Sequence, residues 1–336
     1  MKKVKTKSVM IQSLCVPCFN RCRHCLLSWS GRTEGAEWGR SVLLAERFLR
    51  ELRESRPELS CAFSFGYSME HPELREALRT LHRLGSPTAE FLQCDGMKMR
   101  DDAQCGELMR LLREEGVKKL NFTFYGLPAY HDRFAGRQGD HALLLRMIAA
   151  AGEHGLPFTA GICLTAENPG DMDELTGILR DQGCEKVSLF VPHEEGRGRV
   201  LAAVRCRERD LDRLSPETRG LLDPKVYRPE GEWLREAEPL REEHRSILIS
   251  LRRENIEDYE SRSAASVLAE VEALDEGYYS TFPSFRELAE RYGDPDGEKL
   301  YRIRDLYHHY RLLYGEEHRL PVCDVTDERF SGSRRS

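Results

Sequence analysis

The sequence has no long apolar run, no surplus of basic charge, no internal repeat and no low-complexity segment. Its longest apolar stretch, Ala142 to Ala151, is broken by Arg146. A membrane-spanning helix takes about 20 apolar residues, so none is expected. The opening residues, Met-Lys-Lys-Val-Lys-Thr-Lys, run into no apolar segment of the length an export signal needs. The expected location is therefore the cytoplasm, and no membrane partner is expected. Lys plus Arg number 51 against 57 for Asp plus Glu, a net charge of −6 with a pI near 6.1. That balance argues against bulk binding to nucleic acid or to an anionic membrane surface.

What the sequence does have is length, alternation and cysteine. Its 336 residues are enough for one large barrel or two ordinary domains. From Ser8 to about Arg199, short apolar runs alternate with amphipathic stretches. Strands are expected at Val9–Leu14, Ala62–Phe65, Ala89–Gln93, Lys119–Tyr125, Phe158–Leu164 and Lys186–Pro192. Helices are expected at Arg40–Leu52, Pro72–Leu84, Asp101–Glu115, Asp140–His154 and Pro169–Gln182. Gly85, Gly116, Gly155 and Gly183 follow four of these helices, where a C-cap favours positive φ. Such alternation implies parallel βαβ units in an α/β fold, as an open sheet or a partial barrel.

Beyond Arg199 the character changes. Arg205–Arg213 is a mixed-charge run that reads as a solvated linker. One apolar run, Ile247–Leu251, precedes helix patterns at Ala264–Leu274, Pro283–Tyr292 and Gly297–Tyr314. The expected division is 1–204 for the α/β unit, 205–330 for a mostly helical C-terminal domain, and 331–336 for a flexible tail.

There are eleven cysteines, and four of them, Cys15, Cys18, Cys22 and Cys25, fall within eleven residues. In a reducing compartment, clustered cysteines read as metal ligands before disulfides. A structural zinc site usually draws its close cysteine pairs from points a dozen or more residues apart, so four on one short loop suit a multi-iron cluster better. Zinc and a plain electron-transfer cluster remain the alternatives.

Within the run, Cys18-x3-Cys22-x2-Cys25, with Asn20 and His24 between the cysteines, resembles the signature of the radical S-adenosylmethionine (radical SAM) superfamily. The resemblance implies a [4Fe–4S] cluster on Cys18, Cys22 and Cys25, with one iron left open for S-adenosylmethionine, and leaves Cys15 outside the site. It covers roughly residues 8 to 200 and implies a partial (βα)6 TIM-like barrel. Phe63–Leu74 is similar to the stretch that supports the amino group of SAM in that family, which points to Ser64, Gly66, Tyr67, Ser68 and Glu70. Tyr67 stands where the family has Glu, and Glu70 lies three residues later as a substitute. On the residues alone, Glu70 reads equally as a carboxylate at a helix N-terminus.

Asn121–Gly126 and His131–Gly136 resemble elements of the peptide- and protein-modifying members. Thr123 takes the place of the hydroxyl that contacts SAM, and Tyr125 stands where Asp is usual. Arg137 is the replacement for an expected Arg at Ala135. The resemblance assigns the adenine pocket to the backbone near Leu189–Val191, with Asn168 and Arg199 as polar candidates, and His24 is the ring-bearing residue beside the last ligand. It implies a radical SAM enzyme that takes electrons from an external flavodoxin- or ferredoxin-type reductant and acts on a peptide or protein. The alternatives are a small metabolite as substrate, such as a sugar or nucleotide, or a non-catalytic iron–sulfur scaffold.

Other features read as structural. Cys61, Cys94, Cys105, Cys163, Cys184 and Cys206 are isolated and are expected to be packing residues. Only Cys323 lies beyond Cys206, so the cysteine-rich SPASM domain of peptide-modifying relatives is not expected. Tyr307, Tyr310 and Tyr314 recur at helical spacing and are expected to pack against the barrel, while His308 and His309 are expected at the surface.

Overall fold

The structure, a computed structural model, describes residues 4–13, 18–25, 36–65, 68–194, 196–236, 244–322 and 333–335. Its first half alternates as expected. β1 (Lys5–Ser13) leads to α1 (Trp38–Ser55), β2 (Ser60–Ser64) to α2 (Leu74–Arg83), and β3 (Phe91–Gln93) to α3 (Asp102–Glu114). β4 (Lys119–Phe124) is followed by two helices, α4 (Pro128–Ala135) and α5 (Asp140–Glu153). β5 (Phe158–Cys163), α6 (Met172–Asp181) and β6 (Lys186–Phe190) complete the six units. Gly85, Gly116, Gly155 and Gly183 all take the positive φ expected of them. The short α4 has Pro128 in its first turn and was not expected as a helix. The third strand, expected from Ala89, begins only at Phe91, because Ala89 closes a 3-10 turn, Pro87–Ala89, capped by Ser86.

The strands form two parallel arcs. One is β3-β4-β5-β6, and the other contains β1 and β2. Between β2 and β3 there is no ladder among the described residues, and the Pro87–Ala89 turn spans the gap. Ser86 Oγ ties this turn to the Phe63 carbonyl at 2.6 Å. Period-two patterning sets the two faces. Leu120, Phe122, Phe124, Phe158, Ala160, Ile162, Val187 and Leu189 are buried beneath the helices. Gln93, Asn121, Thr123, Thr159, Gly161, Ser188 and Phe190 are half-buried on the opposite, inner face. The result is an α/β partial barrel with a polar lumen and a helical C-terminal region.

After β6 come α7 (Pro216–Arg219), β7 (Arg228–Pro229) and α8 (Glu230–Arg235). They are followed by β8 (His244–Leu251), α9 (Ile256–Ser261), α10 (Ala264–Tyr279), α11 (Phe285–Tyr292), β9 (Leu300–Tyr301), α12 (Ile303–His318) and β10 (Ser333–Arg335). Two expectations need correction here. β8 lies well beyond the boundary expected near residue 205, yet it pairs in parallel with β1 from Lys5↔His244 to Ser13↔Leu251. Its buried Ile247, Ile249 and Leu251 continue the apolar face of Val9 and Ile11, and cover an edge that β1 would otherwise leave unpaired. The tail expected to be flexible contributes Ser333–Arg335 as a strand antiparallel to β8.

The tyrosine helix also differs from expectation. Tyr310 is fully buried, and Tyr307 and Tyr314 are partly so, but they pack with Trp233, Phe285 and Leu288 of α8 and α11 in a cluster separate from the barrel core. His308 is 2% exposed, and His309 Nδ1 meets Glu194 Oε2 at 2.8 Å, so neither is a free surface residue. Arg205 is no solvated linker residue: its guanidinium donates to the carbonyls of Leu300 and Pro192 at 2.8 and 3.0 Å and lies over the Tyr301 ring.

Candidate cluster and cofactor site

Residues 18–25 lie across the carboxyl ends of β3 and β4, the end where βα barrels carry their chemistry. Main-chain bonds fix the loop. The Phe19 amide donates to the Gly96 carbonyl at 2.8 Å, Arg21 to Ala135 at 2.8 Å, and Arg23 to Phe134 at 2.9 Å. Asn20, between the first two cysteines, is 4% exposed, and its Nδ2 donates to Asp140 Oδ2 at 2.9 Å. The carboxylate is held in turn by His131 and Arg137. Gly96 completes the cradle. Its φ is +64°, and a Cβ there would collide with Cys18 Sγ.

Cys18, Cys22 and Cys25 are half-buried free thiols. Burial pushes the Cys18 thiol up to about 11 and the Cys22 thiol up to about 12, and the neighbouring cysteines add to both shifts. Thiolates at Cys18 and Cys22 therefore become tolerable here only beside positive charge, such as the irons of a cluster would supply. Among the described residues, no three His, Cys, Asp or Glu side chains gather tightly enough to share one metal ion. Three thiols spread along one loop fit the separate irons of a cluster better than a single zinc. Cys15 lies outside the described residues.

An aromatic wall stands beside Cys22. The Tyr125 hydroxyl donates to Cys22 Sγ at 3.3 Å. The Tyr125 ring stacks on Phe134 with centroids 4.6 Å apart, and His24 packs against Tyr125, Phe134 and Phe190 at 5.2, 5.4 and 6.4 Å. Burial drives the His24 imidazole down to about 4, so it is neutral, and its Nδ1 is buried without a partner. A neutral ring with an unused nitrogen next to the cysteine loop is compatible with an apolar, hydrogen-bonding cofactor surface.

The other candidates divide. Thr123 faces the lumen, with its hydroxyl accepting from Gln93 Nε2 at 3.1 Å. Ser64 ends β2 half-buried, Arg199 is exposed, and Gly66 and Tyr67 lie outside the described residues. Ser68 opens the 3-10 turn that carries Glu70. Glu70 is engaged elsewhere: Oε1 accepts from Arg100 at 2.6 Å and from the Lys98 amide at 3.0 Å. Arg137 is bonded to Asp140 and to the Met97 carbonyl, leaving Nε as its buried unpaired atom. Asn168 has no atom to spare. Oδ1 accepts from the amide and hydroxyl of Thr165, and Nδ2 donates to the carbonyls of Tyr125 and Cys163, clamping the ends of β4 and β5. Leu189 turns its side chain into the outer core, and its amide donates to Leu221. The inner face at that level belongs to Ser188 and Phe190.

His131 and Asp132 shape the loop. His131 Nδ1 accepts from the Tyr125 amide, and Asp132 accepts from the amides of Gly139 and His141. Cys94, Cys105, Cys163 and Cys206 are fully buried.

Two features escaped the sequence reading. Asp95, at the end of β3, accepts from the Thr123 amide at 2.9 Å and from the Gln93 amide group. Burial pushes its carboxyl up to about 6, and its charge reaches Cys18 and Cys22. The available signal was an Asp-Gly pair directly after a strand. The second is a ladder across the lumen: Asn121 Nδ2 donates to Gln93 Oε1 at 2.7 Å, and Thr159 donates to Asn121 Oδ1 at 2.8 Å.

Residues 14–177 match the family model described as the radical SAM superfamily. No curated protein matches the chain by sequence. Among solved structures, Streptococcus suis SuiB bound to precursor peptide SuiA is similar at 12% identity and a TM-score of 0.42, over 56% of this chain and 40% of that one. Native anSMEcpe with bound AdoMet and Cp18Cys peptide is similar at 14% and 0.39, over 56% and 51%. Escherichia coli coproporphyrinogen III oxidase (HemN) is similar at 12% and 0.38, over 64% and 49%. The chain thus spans about half, or less, of the length of these structures. No described helix is long and apolar enough to cross a membrane. Residues 14–177, which contain the cysteine loop and the strands that present it, are a radical SAM superfamily domain.

Proposed function

We propose that this chain is a radical SAM enzyme that holds a [4Fe–4S] cluster on Cys18, Cys22 and Cys25, binds S-adenosylmethionine beside it, and acts on a peptide or protein. The observation that carries this reading is the cysteine loop, three thiols fixed by main-chain bonds over the carboxyl ends of β3 and β4. Cys18, Cys22 and Cys25 would hold the cluster, which would supply the electron for reductive cleavage of S-adenosylmethionine and so the means of taking hydrogen from a substrate. The electron comes from an external carrier of the flavodoxin or ferredoxin type, and the cytoplasm suits both that carrier and reduced thiols.

The protein's own part is orientation and exclusion of water. His24, Tyr125, Phe134 and Phe190 form a wall beside Cys22 that keeps solvent away from that sulfur. The Thr123 hydroxyl accepts from Gln93 and is also hydrogen-bonded to the Asp95 carboxylate, so it ties the end of β3 to β4 on the lumen side. The Gln93–Asn121–Thr159 ladder supports a peptide substrate, because side-chain amides and hydroxyls complement both the N–H and the C=O of a backbone.

The test is anaerobic reconstitution with iron and sulfide, reduction with dithionite, and chromatographic measurement of 5′-deoxyadenosine formed from S-adenosylmethionine. Formation in excess of the protein-free control is expected, and its absence overturns the reading.

A further inference from the structure

Tyr125 is a firmly held side chain in contact with Cys22, one of the three proposed cluster ligands. It is 3% exposed. Its amide donates to His131 Nδ1 at 3.2 Å, and its carbonyl accepts from Asn168 Nδ2 at 2.5 Å, so the main chain is pinned on both sides. The ring is stacked on Phe134 at 28° and 4.6 Å, with His131 at 5.0 Å and His24 edge-on at 5.2 Å. Three rings and two main-chain bonds therefore aim the hydroxyl, and it points at Cys22 Sγ, 3.3 Å away. Nothing about folding requires that aim. A phenylalanine would fill the same stack.

A phenol differs in kind from a carboxylate at this position. An ionised Asp only accepts hydrogen bonds and adds negative charge, whereas a neutral phenol brings a positive hydrogen to the sulfur. When a cluster takes up an electron, part of the added charge falls on its sulfurs. A donor aimed at one of them stabilises the reduced state, and hydrogen bonds to cluster sulfurs are among the factors that set reduction potential.

We propose that the Tyr125 hydroxyl, through its hydrogen bond to Cys22 Sγ, raises the reduction potential of the cluster held by Cys18, Cys22 and Cys25. Tyr125 is thus a positioning residue: it acts on the cluster through Cys22 and makes its one-electron reduction by the external low-potential donor easier. This inference rests on the cluster assignment above.

The experiment is an anaerobic redox titration of the reconstituted full chain followed by electron paramagnetic resonance, without S-adenosylmethionine. Tyr125→Phe is expected to load iron and sulfide like the wild type and to titrate lower. A tenfold fall in the ratio of reduced to oxidised cluster at fixed potential corresponds to about 59 mV for one electron. A more acidic phenol, 3-fluorotyrosine at position 125, is expected to shift the potential upward. Tyr130→Phe removes a hydroxyl from the same stack, one that meets Thr165 and Glu167 instead of sulfur, and should leave the potential unchanged. An unchanged or higher potential in Tyr125→Phe overturns the proposal. If that variant loads no cluster, the fluorotyrosine protein decides, and the lack of an upward shift overturns it. A wild-type chain that takes up no cluster overturns the underlying assignment, a distinct result from a loaded chain indifferent to position 125.

Discussion

Glu70 and Arg100 meet in an ion pair of 2.6 Å, with side chains 6% and 9% exposed. The pair braces the segment after β3, which places Gly96 against Cys18. Removing one member of a buried pair strands the other charge, which costs about 3–5 kcal/mol. Glu70→Ala should lose stability on that scale in urea unfolding, and adding Arg100→Leu should recover a large part. Unchanged stability with a selective loss of S-adenosylmethionine affinity would show instead that Glu70 serves the cofactor.

Gly96→Ala tests the cradle. The left-handed backbone alone costs an alanine about 1–2 kcal/mol, and the added methyl collides with Cys18 Sγ. The variant should stay folded by circular dichroism yet take up much less iron on reconstitution. Iron uptake at the wild-type level would mean that the loop relaxes freely.

His141 gives a pH signature. It is 3% exposed, its Nε2 is buried without a partner, and burial drives the imidazole down to about 4. His131 lowers it further, while Asp132 and Asp140 act in the opposite direction. The folded value lies below that of the unfolded chain, so the unfolded state takes up the proton first as pH falls. Stability from this group is intact above about pH 6.5 and is lost progressively toward pH 4, by about 2–3 kcal/mol at pH 4.5. His141→Leu should show a correspondingly smaller drop than the wild type in unfolding measured at pH 7 and pH 4.5. Parallel losses in the two proteins would contradict it.

The six strands of the barrel and the cysteine loop were legible because both are local: period-two alternation, glycine-ended helices and cysteine spacing each fit within a dozen or so residues. β8 was not, since nothing in Ile247–Leu251 states that its partner is β1, some 240 residues earlier. The same limit hid the surroundings of His308 and His309. Their helix was evident, but Glu194, which meets His309, lies in the segment after β6, 115 residues earlier in the chain. At the site, residue type was legible while its protein partners were not. Asn168 and Glu70, polar candidates in the sequence, are held by protein partners, and Tyr125, noted only as a departure from the usual Asp, meets the Cys22 thiol.

The most direct measurement is the iron and sulfide content of the anaerobically reconstituted chain beside the triple variant Cys18→Ala, Cys22→Ala, Cys25→Ala. The account predicts about four irons and four sulfides per wild-type chain, near-background values for the triple variant, and no loss for Cys15→Ala. Cluster iron retained by the triple variant, or lost with Cys15→Ala, would contradict the assignment on which the site rests.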